Sequence, residues 1–409
     1  NSLGVISTTD DLNATFAPSY PLEGSVSMLS QSGAFVTAAL DWAADRGVGF
    51  RHVVSLGNEA VLDETDFLEY WSDDPGTDVV VGYLEGIEDG REFVDRVRAV
   101  TAETPVVLLK AGRSTAGARA AASHTGSMAG SDRAYDAAFE QAGVLRADTI
   151  EGLFDAAATL AGQPLPEGEQ VAVVTNAGGP GVLASDAVEA SGLSMASFTD
   201  ATVERLESSL PAQADAENPL DIIGDADVAR FSTALAAVVD DPNVSMVSLL
   251  SAPTAIFDFD ELAEAVMDAR PDRDLPMVTC LMGGDRVDAA ADRLREAGIP
   301  NYFDPARAIR SLDALVAYRE VRTREYAEPV RFDLDRDRIE ALLAEGAGRP
   351  DGRLSVEATA LLDACGIPTP PGELATGPDD ATGIADRIGG PVVMKVASPD
   401  VLHKSDVGG

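Results

Sequence analysis

Short apolar runs alternate with amphipathic stretches along most of the chain. In its first part, four runs rich in Val and Leu are separated by segments long enough for helices. Nearly continuous apolar content predicts strands that are covered on both faces, as in a parallel sheet. The alternation therefore predicts β-α units and an α/β fold. The predicted strands cover residues 25–29, 51–57, 78–85 and 104–112, with helices at 34–44 and 90–100.

A second series of the same kind follows a Pro- and Gly-containing linker at residues 162–170. Its strands are predicted at QVAVVTNAGG, SMVSLLSAP and LPMVTCLMGG, each of which ends in small residues before a helical segment. In open parallel sheets, ligands bind beyond the carboxyl ends of the strands. We therefore expect the ligand-facing loops at those ends.

The character of the sequence changes after this second series. A helix at 305–324 leads into a polar junction at 327–353, followed by a helix at 355–365, a Pro-rich turn, another helix and a strand at 391–398. The chain does not begin with methionine, and no domain follows its last strand. We expect an internal piece of a multidomain protein, in keeping with its 409 residues.

The charge of the chain is strongly unbalanced. It has 69 acidic and 30 basic residues and a formal net charge of −39, and only Lys110, Lys395 and Lys404 are lysines. Such a charge repels polyanions, which excludes nucleic acid as a partner. The carboxylates are spread over helical segments rather than gathered in a disordered tail. An acidic surface that salt would screen predicts a cytoplasm rich in salt, as in halophiles.

The sequence also indicates a compartment. Its first residues are neither basic nor followed by a long apolar stretch, and no apolar run reaches membrane-spanning length. Cys280 and Cys365 are far apart and lack the spacing of zinc ligands or of a disulfide framework. We expect a soluble cytoplasmic protein with packed thiols, no protein metal site and no membrane partner.

Histidine is rare in this chain, which has three: His52, His124 and His403. His52 opens a predicted strand without a polar constellation around it, so a structural role is expected. His124 lies in the run SHTGSMAGSD, whose small residues leave the imidazole accessible among hydroxyl and N–H groups. A neutral imidazole there can attack a phosphoryl group. The alternative is a capping loop in which Ser131 or Asp132 starts a helix at 133–141, and the two roles are compatible.

Two glycine-rich turns follow predicted strands and open predicted helices, SQSGAF at 30–35 and TNAGGPGVLASD at 175–186. Because helix N-termini present unpaired N–H groups and a partial positive charge, each turn is a candidate phosphate site. Such turns also serve tight packing alone, and neither carries the lysine of a P-loop. Their occurrence together with His124 favours phosphate chemistry. The candidate phosphate-binding residues are Ser30, Gln31, Ser32, Gly33, Thr125, Gly126, Asn176, Gly178, Gly179 and Gly181.

The run SHTGSMAGSD resembles the phosphohistidine loop of the nucleoside-diphosphate-forming acyl-CoA synthetases, which are relatives of succinate–CoA ligase. The two glycine-rich helix starts, GNEA at 57–60, YLEGIEDGREF at 83–93 and ENPLDIIGDA at 217–226 match that family in order and spacing. The likeness covers essentially the whole chain. It implies two flavodoxin-like, succinyl-CoA-synthetase-like parallel-sheet domains in tandem, followed by the truncated start of an ATP-grasp domain.

The resemblance also implies domain boundaries. They are the tail of an upstream CoA-binding Rossmann-like domain at 1–20, a first flavodoxin-like domain with the phosphohistidine loop at 21–163, a second at 168–326, a linker at 327–353 and the ATP-grasp start at 354–409. Parts of the CoA and nucleotide sites would then lie outside this chain. We expect the chain alone to be inactive.

Three residues acquire roles from the resemblance. Glu85 matches the carboxylate that hydrogen-bonds the phosphorylated histidine, where it would fix the tautomer and orientation of the ring. Lys395, on the last predicted strand, matches a lysine that contacts nucleotide phosphates, and a lysine in a buried strand needs an anion. His403 matches a second histidine that ferries the phosphoryl group in some members. A surface histidine without function is the alternative for His403.

The function implied is that of an acyl-CoA synthetase that forms ATP from ADP. It converts acyl-CoA, ADP and phosphate reversibly to a carboxylic acid, CoA and ATP through an acyl phosphate and a phosphohistidine, with Mg²⁺ on the nucleotide phosphates. Acetate is the default acid, and the full-length chain is expected to form a homo-oligomer. The alternatives are succinate–CoA ligase, a regulatory relative coupled to a protein acetyltransferase, and a phosphocarrier, for which the acidic acceptor pocket is missing.

Overall fold

The computed structural model of the protein describes residues 2–117, 119, 131–254, 257–269, 274–326, 332, 334–348, 354 and 357–396. The predicted site residues His124, Thr125, Gly126 and His403 lie outside these ranges. The chain divides into two compact units, Asn1–Arg324 and Glu325–Gly409. Within the described residues, no helix combines the length and apolar character needed to span a bilayer.

The first unit begins with a seven-stranded sheet. Its strands are β1 (Gly4–Ser7), β2 (Leu12–Thr15), β3 (Glu23–Ser30), β4 (Phe50–Ser55), β5 (Val79–Leu84), β6 (Val106–Lys110) and β7 (Leu145–Ala147). Their order across the sheet is β2-β1-β4-β3-β5-β6-β7, and the strands from β4 to β7 are parallel. The four strands predicted from apolar runs are β3 to β6, so the parallel α/β fold is confirmed.

Residues 4–15, which the sequence assigned to a preceding domain, form an antiparallel hairpin at the edge of this sheet. Strand β1 pairs with β4, with Ile6 opposite Val53. This pairing covers backbone groups that β4 would otherwise expose at an edge. It also buries Ile6 completely, and the Thr8 hydroxyl donates to the Phe50 carbonyl at 2.8 Å.

Helices cover both faces of the first sheet. They are α1 (Gly33–Asp45), α2 (Glu64–Ser72), α3 (Gly90–Thr101), α4 (Asp132–Ala142) and α5 (Ile150–Gly162). Trp71 and Phe93 are buried on one face, whereas Leu40 and Phe154 are buried on the other. Full burial of a side chain of this kind contributes roughly 1.5–3 kcal/mol, which explains why the strands between the two layers are apolar throughout.

The second sheet is five-stranded and parallel. Its strands are β8 (Gln170–Thr175), β9 (Ser194–Met195), β10 (Leu220–Asp221), β11 (Met246–Ser251) and β12 (Met277–Leu281). The order is β10-β8-β11-β12, and β9 pairs with the start of β8. The accompanying helices are α6 (Gly178–Glu189), α7 (Asp200–Ser209), α8 (Val228–Val239), α9 (Phe259–Asp268), α10 (Asp288–Glu296) and α11 (Pro305–Thr323).

Asn218, in the motif ENPLDIIGDA, fills the gap between the short strands β9 and β10 along one edge of β8. Its amide oxygen accepts from the Val173 N–H at 2.9 Å. Its amide nitrogen donates to the carbonyls of Val171 at 2.8 Å and Ala196 at 3.0 Å. Part of this motif is therefore needed to satisfy buried backbone groups of the sheet.

The two sheets share one apolar core within the first unit. A single cluster contains Met28 of the first sheet and Val173 of the second, and helices α5 and α11 pack against each other. Arg307 on α11 donates to both carboxylate oxygens of Asp155 on α5, at 2.8 and 2.7 Å. Because interiors of this kind are close-packed, the shared core fixes the two sheets as one body.

The second unit contains the helices α12 (Arg336–Ala347), α13 (Glu357–Ala364) and α14 (Pro378–Ile388). The strand predicted at 391–398 is absent over 391–396, the part of it that the structure describes. A strand needs a neighbour for its N–H and C=O groups, and no strand is assigned in the described part of this unit. Lys395 is therefore exposed, which corrects the expectation that it lies in a buried strand.

Candidate active site

Gln31 joins the carboxyl ends of the neighbouring strands β3 and β5. Its amide oxygen accepts from the N–H groups of Glu85 and Gly86, the latter at 3.0 Å. Its amide nitrogen donates to the Gly86 carbonyl and to Glu59 Oε1, both at 2.8 Å. A flipped amide would point its oxygen at a carboxylate and a carbonyl, so the orientation is fixed. Gln31 thus holds the backbone of Glu85 in place.

The side chain of Glu85 is held by Tyr83, two residues earlier in the chain. The two side chains are hydrogen-bonded, and burial together with this carboxylate raises the pKa of Tyr83. The Tyr83 ring stacks on Phe35 of α1, with centroids 4.5 Å apart. Glu85 is thereby fixed at its backbone and at its carboxylate, as an orienting group should be. Tyr83 was not among the predicted site residues, although it lies in the family-like run that contains Glu85.

Lys110 is a buried cation beside Glu85. It ends β6 next to Leu84, is 2% exposed, and is the only lysine of the first unit. Its ammonium donates to the Ala111 carbonyl and lies 4.3 Å from the centroid of the Tyr135 ring. Burial lowers the pKa of Lys110, and the carboxylates of Asp132 and Glu85 oppose that shift. Lysine is rare in this sequence, which singles out Lys110, but Lys110 was not among the predicted site residues.

The segment that carries His124 leaves the sheet after β6 and returns at α4. Its described ends are tied together, because Arg113 pairs with Asp148 and its Nε lies 3.7 Å from Asp132 Oδ2. Arg146 also donates to Asp132 at 2.6 Å. The predicted helix at 133–141 is α4, but its N-cap, Ser131, makes no side-chain capping bond. The ends of the His124 segment therefore meet at the carboxyl edge that holds Glu85.

In the first glycine-rich turn, the predicted phosphate-binding side chains build the turn itself. The buried Ser30 hydroxyl donates to the Ser32 carbonyl at 2.9 Å and accepts from the Ser32 N–H at 3.0 Å. The Ser32 hydroxyl caps α1 by accepting from Phe35 N–H at 3.3 Å. The N–H groups of Gly33 and Ala34 have no acceptor among the described residues. These backbone groups, rather than the side chains of Ser30 and Gln31, are available to an anion.

The second glycine-rich turn has the same construction. Thr175 Oγ1 bonds to both the carbonyl and the N–H of Ala177 at 3.0 Å, as Ser30 does with Ser32. The buried Asn176 amide donates to the Ala252 carbonyl at 3.0 Å and accepts from the Ala252 N–H at 2.8 Å. Asn176 thereby ties β8 to the end of β11. Its side chain has this structural role instead of the predicted contact with phosphate.

The glycines of the second turn differ in what surrounds them. Gly178 and Gly179 are exposed, and their N–H groups have no acceptor within the described part of the chain. A Cβ on Gly179 would meet open space, whereas one on Gly181 would lie 3.2 Å from Thr175 Cγ2. Gly181 is thus tightly packed, and its contact with phosphate stays a prediction. Gly179 has open space beside it, whereas a Cβ on Gly178 would lie 3.1 Å from Asp221 Oδ2.

Three family models match the chain. A succinyl-CoA ligase-like flavodoxin domain covers residues 23–160, a ligase-CoA domain covers 171–325, and an ATP-grasp domain covers 348–409. These are the domain types that the sequence resemblance implied.

Known proteins are similar over the whole chain. It is 46% identical over 413 residues to an ADP-forming acetate–CoA ligase I of Archaeoglobus fulgidus, with 100% of this chain and 59% of the relative covered. It is 41% identical over 317 residues to the alpha subunit of the ADP-forming acetate–CoA ligase I of Pyrococcus furiosus, covering 77% of this chain and 68% of that subunit. The chain belongs to the ADP-forming acetate–CoA ligase family. It spans 59% of the length of the Archaeoglobus ligase.

A solved structure of the ligase family has the same fold. The dinucleotide-forming acetyl-coenzyme A synthetase 1 of Ca. Korarchaeum cryptofilum, in complex with phosphate and ADP, superimposes with a TM-score of 0.75 at 36% identity. The match covers 78% of this chain and 70% of that one. The acetate-type relatives disfavour the succinate-specific and regulatory alternatives.

His52 lies outside the candidate site of this ligase-family chain. It is near the amino end of β4, with Nδ1 3.3 Å from Ser27 Oγ and 3.8 Å from Asp74 Oδ2, and its ring stacks on Trp71. Burial lowers its pKa. The expectation that no polar groups surround it was wrong, but these contacts lie within the packed layer of α2. They account for His52 as a structural residue.

The remaining groups of the ligase-family chain offer little to a metal. Burial raises the pKa of the Cys280 thiol to about 12, so Cys280 is an unreactive core residue. The described ranges contain no group of three or more His, Cys, Asp and Glu side chains that could hold a metal ion.

Proposed function

We propose that this chain supplies the phosphoryl-transfer centre of an acyl-CoA synthetase that forms ATP from ADP. The complete protein would convert acyl-CoA, ADP and phosphate reversibly to a carboxylic acid, CoA and ATP, with acetate as the default acid. The observation that carries the proposal is the fixing of Glu85 by Gln31 and Tyr83 at the edge where the His124 segment begins and ends.

In the proposed reaction, the phosphoryl group passes from an acyl phosphate to ADP through two histidines. Phosphate attacks the thioester carbonyl and releases CoA, which leaves an acyl phosphate. His124 then attacks phosphorus, the bond from phosphorus to the carboxylate oxygen breaks, and the acid departs. Glu85 accepts a hydrogen bond from the other ring nitrogen, which stabilises the charged ring. His403 takes the phosphoryl group next and passes it to ADP, whose phosphates Lys395 contacts.

Backbone groups at two helix starts are the proposed phosphate ligands. The N–H groups of Gly33 on α1 and of Gly178 and Gly179 on α6 are available, and the helix dipoles favour an anion there. Thr125 and Gly126 are proposed to add donors from the His124 segment. Buried Lys110 places a positive charge behind Glu85, which would offset the negative charge of the phosphoryl group carried by His124.

Several wider predictions accompany this function. We infer the domain division 1–20, 21–163, 168–326, 327–353 and 354–409, a homo-oligomer of the full-length chain, and a salt-rich cytoplasm that suits the net charge of −39. Mg²⁺ is expected on the nucleotide phosphates, because it is usually bound through substrate phosphates rather than by an all-protein cage. None of the residue roles above depends on a protein-held metal.

Phosphoenzyme formation tests the function. The complete protein, incubated with labelled ATP and Mg²⁺, should acquire an acid-labile, base-stable label that His124→Ala abolishes. His403→Ala alone should abolish labelling from ATP while labelling from acyl phosphate persists. His52→Asn is the matched histidine control and should keep the label. Full labelling of the His124→Ala protein, or turnover by the chain alone, would contradict the proposal.

A further inference from the structure

Glu64 is a buried carboxyl group close to the candidate active site. It is the first residue of α2 and is 4% exposed, which is rare for a glutamate unless its charge is compensated. Its side chain is hydrogen-bonded to that of Glu59, the residue that accepts from Gln31. A hydrogen bond between two carboxyl groups requires that one of them carries a proton.

The described charges that act most strongly on this pair are acidic, so they do not neutralise the negative charge of Glu59 and Glu64. Asp63 acts on both Glu59 and Glu64, and Glu88 acts on Glu59. On α3, the helix that packs against α2, Arg96 is engaged by a separate group of acids: Asp66, Glu69 and Glu92. The strongest charge effects on the pair thus come from acidic side chains, which favours retention of the proton.

The hydrogen bonds have one consistent direction. Glu64 donates its proton to the Glu59 carboxylate, which also accepts from Gln31 Nε2 at 2.8 Å. This bond commits the Gln31 nitrogen to Glu59, so the Gln31 oxygen faces the N–H groups of Glu85 and Gly86. Loss of the Glu64 proton would therefore affect Glu85, the last residue in this series of hydrogen bonds.

We propose that Glu59 and Glu64 share one proton and, through Gln31, position Glu85 for phosphoryl transfer. They are positioning residues, since neither contacts the reacting atoms. The effect on catalysis rests on the proposed function, whereas the shared proton rests on the burial of Glu64 and on its contact with Glu59. When the pair loses its proton, two adjacent carboxylates repel each other, and Glu59 no longer stays against Gln31.

The pair should lose its proton in an accessible pH range. Burial and the neighbouring Glu59 raise the pKa of Glu64 to about 8, and burial raises that of Glu59 as well. The phosphorylation rate of the wild type should therefore fall about tenfold between roughly pH 7 and pH 9. Because a side-chain amide cannot ionise in this range, the Glu64→Gln variant should lack this decline.

Infrared difference spectroscopy of the complete protein detects the shared proton directly. Between about pH 7 and pH 9, the C=O stretch of a neutral carboxylic acid should disappear from the wild type. This band should be absent from Glu64→Gln at both values and unchanged in Glu69→Gln, an exposed glutamate on the same helix. Wild-type spectra without a neutral acid band that depends on Glu64 would overturn the proposal, whether or not the enzyme is phosphorylated.

The rate of phosphohistidine formation tests the link to Glu85. We expect Glu64→Gln to keep its rate above the midpoint of the wild-type decline, and Glu69→Gln to follow the wild type. Glu59→Ala should lower the maximal rate at all pH values with little change in KM, and Glu59→Gln should restore part of it. The same decline in Glu64→Gln as in the wild type would overturn the positioning role. A wild type that forms no phosphohistidine would instead refute the proposed function, and the infrared band would still decide on the shared proton.

Discussion

The two glycine-rich turns of the first unit are built alike but are connected differently. In both, the last hydroxyl of the strand closes the turn and the next amide side chain reaches the neighbouring strand. Gln31 also bonds to the carboxylate of Glu59, whereas Asn176 bonds only to the backbone of Ala252. In both turns, the amide side chain therefore joins two parallel strands. Only in the first turn does that amide also bond to an ionisable group.

The helix starts that follow the two turns differ in how they are capped. Ser32 caps α1 through its side chain, whereas Ala177 before α6 makes no such bond and is followed by two exposed glycines. The number of available N–H groups is nevertheless two at each start, because Pro180 has no N–H to add at the second. Both turns therefore offer backbone donors to phosphate, and only the first also orients Glu85.

The largest effect should come from removing the amide of the first turn. Gln31→Met leaves Glu85 and Gly86 without their amide acceptor, and a misplaced orienting carboxylate typically costs about two orders of magnitude in rate. We expect phosphohistidine formation to fall by about that factor with little change in KM. A stopped-flow labelling assay measures it, and a decrease of less than about threefold would contradict the distinction between the turns.

The corresponding change in the second turn should act on stability. Asn176→Ala leaves the N–H and C=O of Ala252 without their partner in a partly buried setting, which costs at most about 1–3 kcal/mol for each group. Urea unfolding should show this loss, and the phosphorylation rate should decrease less than in Gln31→Met. If Asn176→Ala impairs the rate as much as Gln31→Met does, the two amides have equivalent roles.

The acid pair adds a pH dependence to the first turn. The folded protein holds the Glu64 proton up to a pKa of about 8, above the ordinary value of 4.5, so it binds more protons than the unfolded chain between these values. The stability from Glu64 is thus full below the lower value and is lost as the pH rises to the upper one, by at most about 1.4 kcal/mol per pH unit. Melting temperatures of wild type and Glu64→Gln should converge at low pH. Parallel curves would contradict a raised pKa for Glu64.

The smallest effects should separate the glycines of the second turn. A methyl group on Gly181 would lie 3.2 Å from Thr175, and we expect Gly181→Ala to destabilise the protein by about 1 kcal/mol. Gly179→Ala adds a methyl group in open space at a helical position, where alanine is favoured by up to about 1 kcal/mol. Thermal melts of the two variants should therefore shift in opposite directions.

Local sequence predicted the strands and turns but not what connects them. The Val- and Leu-rich runs identified β3 to β6 because strands covered on both faces must be apolar throughout. The role of Gln31 depends on β3 lying beside β5, and hydrophobic periodicity does not specify strand order. Tyr83 and Lys110 depend on the same adjacency.

Non-local contacts also explain features that the sequence did not predict. The hairpin at 4–15 is short and largely polar, and it is a strand pair only because β4 offers an open edge. The apolar run at 391–396 has no such edge among the described residues of its unit. Glu64 reads in sequence as an acid at a helix start, where it is normally solvated and favourable. Its burial follows from the packing of α2.

Mapping the phosphoryl group tests the central claim most directly. The complete protein is loaded with labelled acyl phosphate and cleaved after arginine, and the labelled peptide is identified by mass spectrometry. We predict that the label resides on the peptide covering residues 120–133, which contains His124, and that Glu85→Gln reduces it at least about tenfold. A wild-type protein whose label is absent from this peptide, or undiminished labelling in Glu85→Gln, would contradict the account.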